Sequence, residues 1–148
     1  MKTVLDQATR DELIQRIESL NSQSTAQWGK MNVYQMLKHC TICDEMFLGR
    51  KQYKRAFIGR LLGKMALKNM LKDDSPMQRN APTANDFKIN ETQVDIESEK
   101  KKWVSLIKEY ANYSNHDFTH WFFGKMTPEQ VGYFAYKHND HHLRQFNR

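Results

Sequence analysis

The segment that most restricts how this chain can fold runs from Thr127 to Phe146. Thr127-Pro-Glu-Gln130 has the form of a helix start. Threonine can cap the first free amides, proline suits the first helical position, and glutamine can reach back to the cap. Val131, Phe134, Ala135 and Phe146 then recur at helical spacing, and His138 and His142 fall on or next to that face. Four residues apart on a helix, two Cβ atoms lie roughly 6 Å from each other. Two imidazoles so placed can grip one transition-metal ion. His141, three residues after His138, competes for the second place, but a spacing of four is the usual one for two ligands on a helix. A histidine on an apolar stripe is often a core residue bonded to a neighbour, and a bare HxxxH pair arises by chance in many helices. A site needs a third ligand from elsewhere.

The remaining chain supplies helices to carry it. With 148 residues it is long enough to bury a core as one domain, residues 1–148, and three prolines and six glycines leave long stretches free for helix. Thr9-Arg-Asp-Glu12 reads as a capping box, followed by an apolar stripe of Leu13, Ile14, Ile17 and Leu20. Asn32-Val-Tyr-Gln35 reads as a second, with its helix running to Leu48 and stopping at Gly49. His39 lies in the middle of that helix on an apolar face, which makes it the candidate third ligand. A third bundle helix is expected over about 91–112, carrying Val94, Ile96, Trp103, Val104, Leu106, Ile107 and Tyr110. Residues 112–125 read as a connector with Gly124 as a turn residue. The expected fold is all-α: an antiparallel four-helix bundle with an extra basic helix in the crossover between the second and third helices.

That basic helix lies within residues 50–72, where eight cations occur and no acid. Arg60, Lys64, Lys68 and Lys72 repeat every four residues, with Phe57, Ile58, Leu61, Leu62, Met65 and Leu71 on the other side and Gly59 and Gly63 as points of interruption. The plain reading is a solvated face on a helix that covers the domain. The sharper one is contact with an anionic partner. A loop containing Pro76 and Pro82 follows, placed to cover one end of the domain.

Several classes are set aside. No apolar run reaches the roughly 20 residues of a membrane span, so no integral membrane association is expected. The first residues lack an apolar signal core, which gives a cytoplasmic expectation. The net charge of +6 permits an acidic partner, but no nucleic-acid motif accompanies it and none is expected to bind. Cys40-Thr-Ile-Cys43 spells CxxC but sits mid-helix with no sheet beside it, so both cysteines read as core residues. Asp140 and Arg144 read as an ordinary exposed pair, and Trp28, Trp103 and Trp121 as packing residues.

Trp28 with Met36-Leu-Lys-His-Cys40, and Phe122-Phe-Gly-Lys-Met-Thr-Pro-Glu129 followed by His138-Asn-Asp-His-His-Leu-Arg-Gln-Phe146, resemble the DinB/YfiT-like superfamily. The likeness extends from about Thr9 to Phe146. It implies a four-helix bundle, often a homodimer, with one divalent metal held by three histidines. By motif position these are His39, His138 and His142. Zinc or nickel is the foremost expectation for the ion, with iron and manganese as further options. Relatives that use low-molecular-weight thiols imply a metal-dependent hydrolase or thiol S-transferase acting on a small molecule. The resembling branch has proline after the connector histidine, where this chain has His120-Trp121. No catalytic residue is identified, with His141 and His120 the candidates for a general base. Two other classes stand beside the enzyme: a non-catalytic metal-binding or stress-response protein, and a basic surface binder of anionic partners.

Overall fold

The computed structural model describes residues 1–91 and 95–148. Among them are five α-helices: α1 (Gln7–Glu18), α2 (Val33–Phe47), α3 (Phe57–Met70), α4 (Ile96–Glu109) and α5 (Pro128–Gln145). Single 3-10 turns occur at Asn85–Phe87 and Tyr110–Asn112. A short antiparallel hairpin, β1 (Thr119–His120) and β2 (Gly124–Lys125), pairs Thr119 with Lys125 and His120 with Gly124. The described residues are therefore mostly helical, with five helices as the expected four plus one, and a small two-stranded sheet that an all-α fold did not include. Strands of two residues carry no periodic signal in the sequence. No helix among the described residues is long and apolar enough to cross a membrane.

Both later capping boxes form as the sequence predicts. The Asn32 side chain accepts from the Gln35 amide while the Gln35 side chain accepts from the Asn32 amide, and Thr127 and Gln130 do the same. Gly49 ends α2 in the left-handed region at φ +82. The first box does not form. The first helix begins at Gln7, three residues before a cap at Thr9 would start it, with Asp6 as a cap that makes no side-chain bond, and Thr9 is buried within the first turns. The helix expected over 91–112 begins at Ile96, where the Asp95 side chain accepts from the Ser98 amide, and tightens into the 3-10 turn after Glu109. Val94 lies outside the described residues.

Helices α1 and α2 each pack on both α4 and α5. Leu13 and Ile17 of α1, Met36, Leu37 and Cys40 of α2, Trp103 and Ile107 of α4, and Ala135 and Leu143 of α5 are all fully enclosed. Asp44 stands within this core. Its carboxylate accepts from Trp103 Nε1 at 2.8 Å, the Tyr110 hydroxyl at 2.6 Å and Asn139 Nδ2 at 3.3 Å. Burial raises its pKa to about 6, and the three donors hold it from rising further. Asp140 does more than the exposed pair expected. Besides Arg144 at 2.9 Å it meets Arg16 of α1 at 2.8 Å, fastening α1 to α5.

The basic helix forms, and it runs through Gly59 and Gly63 without a break. Its cations are solvated as expected, but its apolar side does not cover the domain. The side facing the protein is Gly59, Gly63 and Leu67, while Phe57, Ile58, Leu61, Leu62 and Met65 face outward. A Cβ on Gly59 would stand 2.4 Å from the Phe122 carbonyl oxygen, and one on Gly63 would stand 2.1 Å from it. Only hydrogen at these positions lets the helix rest on the backbone of the Phe122–Phe123 turn.

Candidate metal centre

His39 on α2 and His138 and His142 on α5 converge, with one ring nitrogen from each within 4.8 Å of the others. The capping box at Asn32 sets the start of α2, and that at Thr127 the start of α5, so both helices present the histidines from fixed registers. His39 Nε2 and His138 Nε2 are 3.2 Å apart. Zinc–imidazole bonds of 2.0–2.1 Å in a tetrahedral site place two ligand nitrogens roughly 3.3 Å apart, so this edge fits.

The outer nitrogens decide which way two of the rings face. His39 Nδ1 lies 2.9 Å from the Phe87 carbonyl oxygen, which can only accept, so the proton sits on Nδ1 and Nε2 presents a lone pair inward. His142 Nδ1 lies 3.0 Å from Gln145 Oε1. The Gln145 amide is oriented by its own NH2, which donates to the Trp28 carbonyl at 2.7 Å, so Oε1 must be the atom that accepts from His142. These are the outer contacts that hold imidazoles in the ligating tautomer. With its own proton on Nδ1, His39 Nε2 can only accept across the 3.2 Å to His138 Nε2, either from a proton on that nitrogen or by sharing a cation with it. On His138 the outer Nδ1 is buried without a hydrogen-bond partner, as is Asn139 Oδ1 beside it.

Burial pushes all three histidines below the ordinary imidazole range, and each feels the charge of neighbouring histidines in the same direction. They are neutral at pH 7, the form in which imidazole binds metal. The rings retain 6–8% of their exposure. Cover comes from the segment after α3. Phe87 packs edge-on to His39, and the Arg79 guanidinium stacks 4.1 Å over Trp28.

The three histidines singled out by spacing and by the apolar stripe are thus the three that meet. His141 is outside the group. It is half-buried and faces Trp28 at a ring distance of 5.7 Å, and burial lowers its pKa. His120 is also outside. Its Nδ1 accepts from the amides of Phe122 and Phe123 at 3.1 and 3.2 Å, holding the hairpin turn, and burial followed by the Arg55 charge lowers its pKa to about 3. A nitrogen used in this way is not free to take a proton from a substrate. Cys43 lies one turn from His39, with its sulfur 3.8 Å from His39 Nε2, and burial pushes its thiol pKa well up. Both cysteines are free and buried, as expected of core residues.

Gln145 and the Phe87 carbonyl were not found from sequence. Gln145 had a signal, since it lies three residues after His142 on the same helix face. The Phe87 carbonyl had none, being a backbone atom 48 positions from His39. No match is found among curated proteins or among solved structures. The family model described as protein of unknown function DUF1569 matches residues 1–148, and the chain belongs to that family.

Proposed function

We propose that the protein is a divalent-metal-dependent enzyme of the hydrolase or thiol S-transferase kind, built as one domain on a DinB-like four-helix bundle. In this reading His39, His138 and His142 are the ligands, and zinc or nickel is the ion. The observation that carries it is the pair of outer hydrogen bonds, from His39 to the Phe87 carbonyl and from His142 to Gln145, which turn neutral Nε2 atoms toward one point. A core histidine also bonds a neighbour through one nitrogen, but it does not need two further imidazole nitrogens within 4.8 Å of the other. When bound, a divalent ion would lower the pKa of a water or thiol on its open side toward neutrality. The chain's part is to supply three neutral donors, hold two of their tautomers, and keep bulk water away with Phe87 and the covering segment. The DinB/YfiT-like resemblance supports a small-molecule substrate, a low-molecular-weight thiol partner and a homodimer.

A non-catalytic metal-binding or stress-response protein is the second reading. The low exposure of the three rings favours it, because a reactant has little room to reach them.

Metal analysis and zinc uptake by untagged protein test the site. Uptake of about one equivalent is expected, lost in His142→Ala and kept in His141→Ala. No uptake by the wild-type protein, or loss in His141→Ala alone, contradicts the assignment. Turnover of thiols with electrophiles, or of hydrolysable esters and amides, by the metal-loaded protein separates the enzyme from the binding protein.

A further inference from the structure

Apart from Met1, every large hydrophobic side chain that is exposed among the described residues lies on α3. Phe57 is 77% exposed, Leu61 67%, Met65 58%, Ile58 52% and Leu62 43%. At 3.6 residues per turn these five cover an arc of about 140°. Arg60, Lys64 and Lys68 form an exposed row along one border of that arc, and none has an ion-pair partner among the described residues. The chain holds no acidic residue from Phe47 to Lys72.

The helix is fixed from behind and at both ends. Gly59 and Gly63 lie on the Phe122–Phe123 backbone, the Ala56 amide donates to the Trp121 carbonyl at 3.0 Å, and Lys137 Nζ donates to the carbonyls of Met70 and Asp73, both at 2.8 Å. The result is a convex apolar ridge with a one-sided row of cations, held out from the protein on a firm base.

We propose that α3 is a docking helix for the surface of an anionic lipid bilayer, lying in the plane of the interface. A helix of this kind buries its apolar face several ångströms into the boundary between headgroups and acyl chains, while its cations meet anionic headgroups. Charge and shape together select this occupant. The unpaired row of cations favours a negatively charged partner. A ridge of five protruding apolar side chains fits a deformable lipid boundary without a matching groove. A second copy fits poorly, because a two-fold antiparallel pairing of α3 would set two rows of unneutralised cations side by side. At 14 residues, α3 is about 21 Å long, suited to lying on a bilayer and too short to cross one.

The test is co-sedimentation of the full chain with large vesicles of phosphatidylcholine alone or mixed with phosphatidylserine. Binding is expected to the mixed vesicles only, and to weaken with added salt. Arg60→Gln/Lys64→Gln/Lys68→Gln should lower partitioning on the order of a hundredfold. Phe57→Ser/Leu61→Ser should abolish it, and both variants should keep the wild-type thermal midpoint because the replaced side chains are exposed. Absence of binding to the mixed vesicles overturns the proposal. So does binding that survives both sets of substitutions. A dimer that dissociates on Phe57→Ser/Leu61→Ser, without lipid binding, overturns it and gives the ridge to a second copy. Binding to duplex DNA that depends on the cations but not on Phe57 and Leu61, again without lipid binding, overturns it in favour of nucleic acid.

Discussion

Gln145→Leu isolates the contact that sets the His142 ring. In the wild-type protein Gln145 is held at both ends, accepting from His142 Nδ1 at 3.0 Å and donating to the Trp28 carbonyl at 2.7 Å. Leucine has nearly the same reach and no polar atom, so the His142 ring loses what fixes its tautomer and rotation. Loss of such an outer partner typically costs 10–100-fold in metal affinity, about 1.4–2.8 kcal/mol. Stability of the metal-free fold should also fall, by about 1–3 kcal/mol, because the Trp28 carbonyl loses its donor. Competition against a chromophoric chelator at fixed neutral pH gives the zinc affinity, and urea unfolding without metal gives the stability. Gln145→Glu separates the two effects. A carboxylate can still accept from His142 Nδ1 but cannot donate to Trp28, so affinity should stay close to wild type while stability falls. If Gln145→Leu binds zinc as tightly as wild type, the tautomer argument for the site fails.

Gly63→Ala should destabilise the fold by about 1–3 kcal/mol, since the new Cβ meets a backbone carbonyl that cannot turn aside. The same change on a freely exposed helix would stabilise by up to about 1 kcal/mol, so the sign of the shift in urea midpoint tests the seating of α3. Asp44→Asn tests the buried carboxylate through pH. The folded-state pKa of about 6 lies above the ordinary value of 3.8, so folding disfavours the ionised form. As pH falls through 6 the native protein takes up this proton before the unfolded chain does. Wild type should therefore gain about 1.4 kcal/mol per pH unit relative to Asp44→Asn, until the pH nears the unfolded value. Urea unfolding of both proteins at pH 7 and pH 5 reads this directly, and a constant difference between them contradicts it.

What could be read from the sequence was local or periodic. The boxes at Asn32 and Thr127 are complete within four residues, and both form. The same pattern at Thr9 misled, because it does not say whether a threonine stands before a helix or inside one that began earlier. Periodicity found the apolar and basic sides of α3 but not that both face outward, with a third side against the protein. The packing side is made mostly of glycine, and what makes glycine suitable there is the close approach of the Phe122–Phe123 backbone, a tertiary fact. The histidines were legible because His138 and His142 share a face and His39 interrupts an apolar one. The partners that orient them were less so, since one is a loop carbonyl and the other an amide whose second bond runs to Trp28, 117 residues away.

The central claim is that three imidazoles, and no thiolate, take one ion. X-ray absorption at the zinc edge of untagged, zinc-loaded protein tests it most directly. The expected spectrum shows three imidazole nitrogens at about 2.0–2.1 Å with one further oxygen or nitrogen neighbour completing the shell. Fewer than three imidazoles, or a sulfur at about 2.3 Å from Cys43, would contradict it.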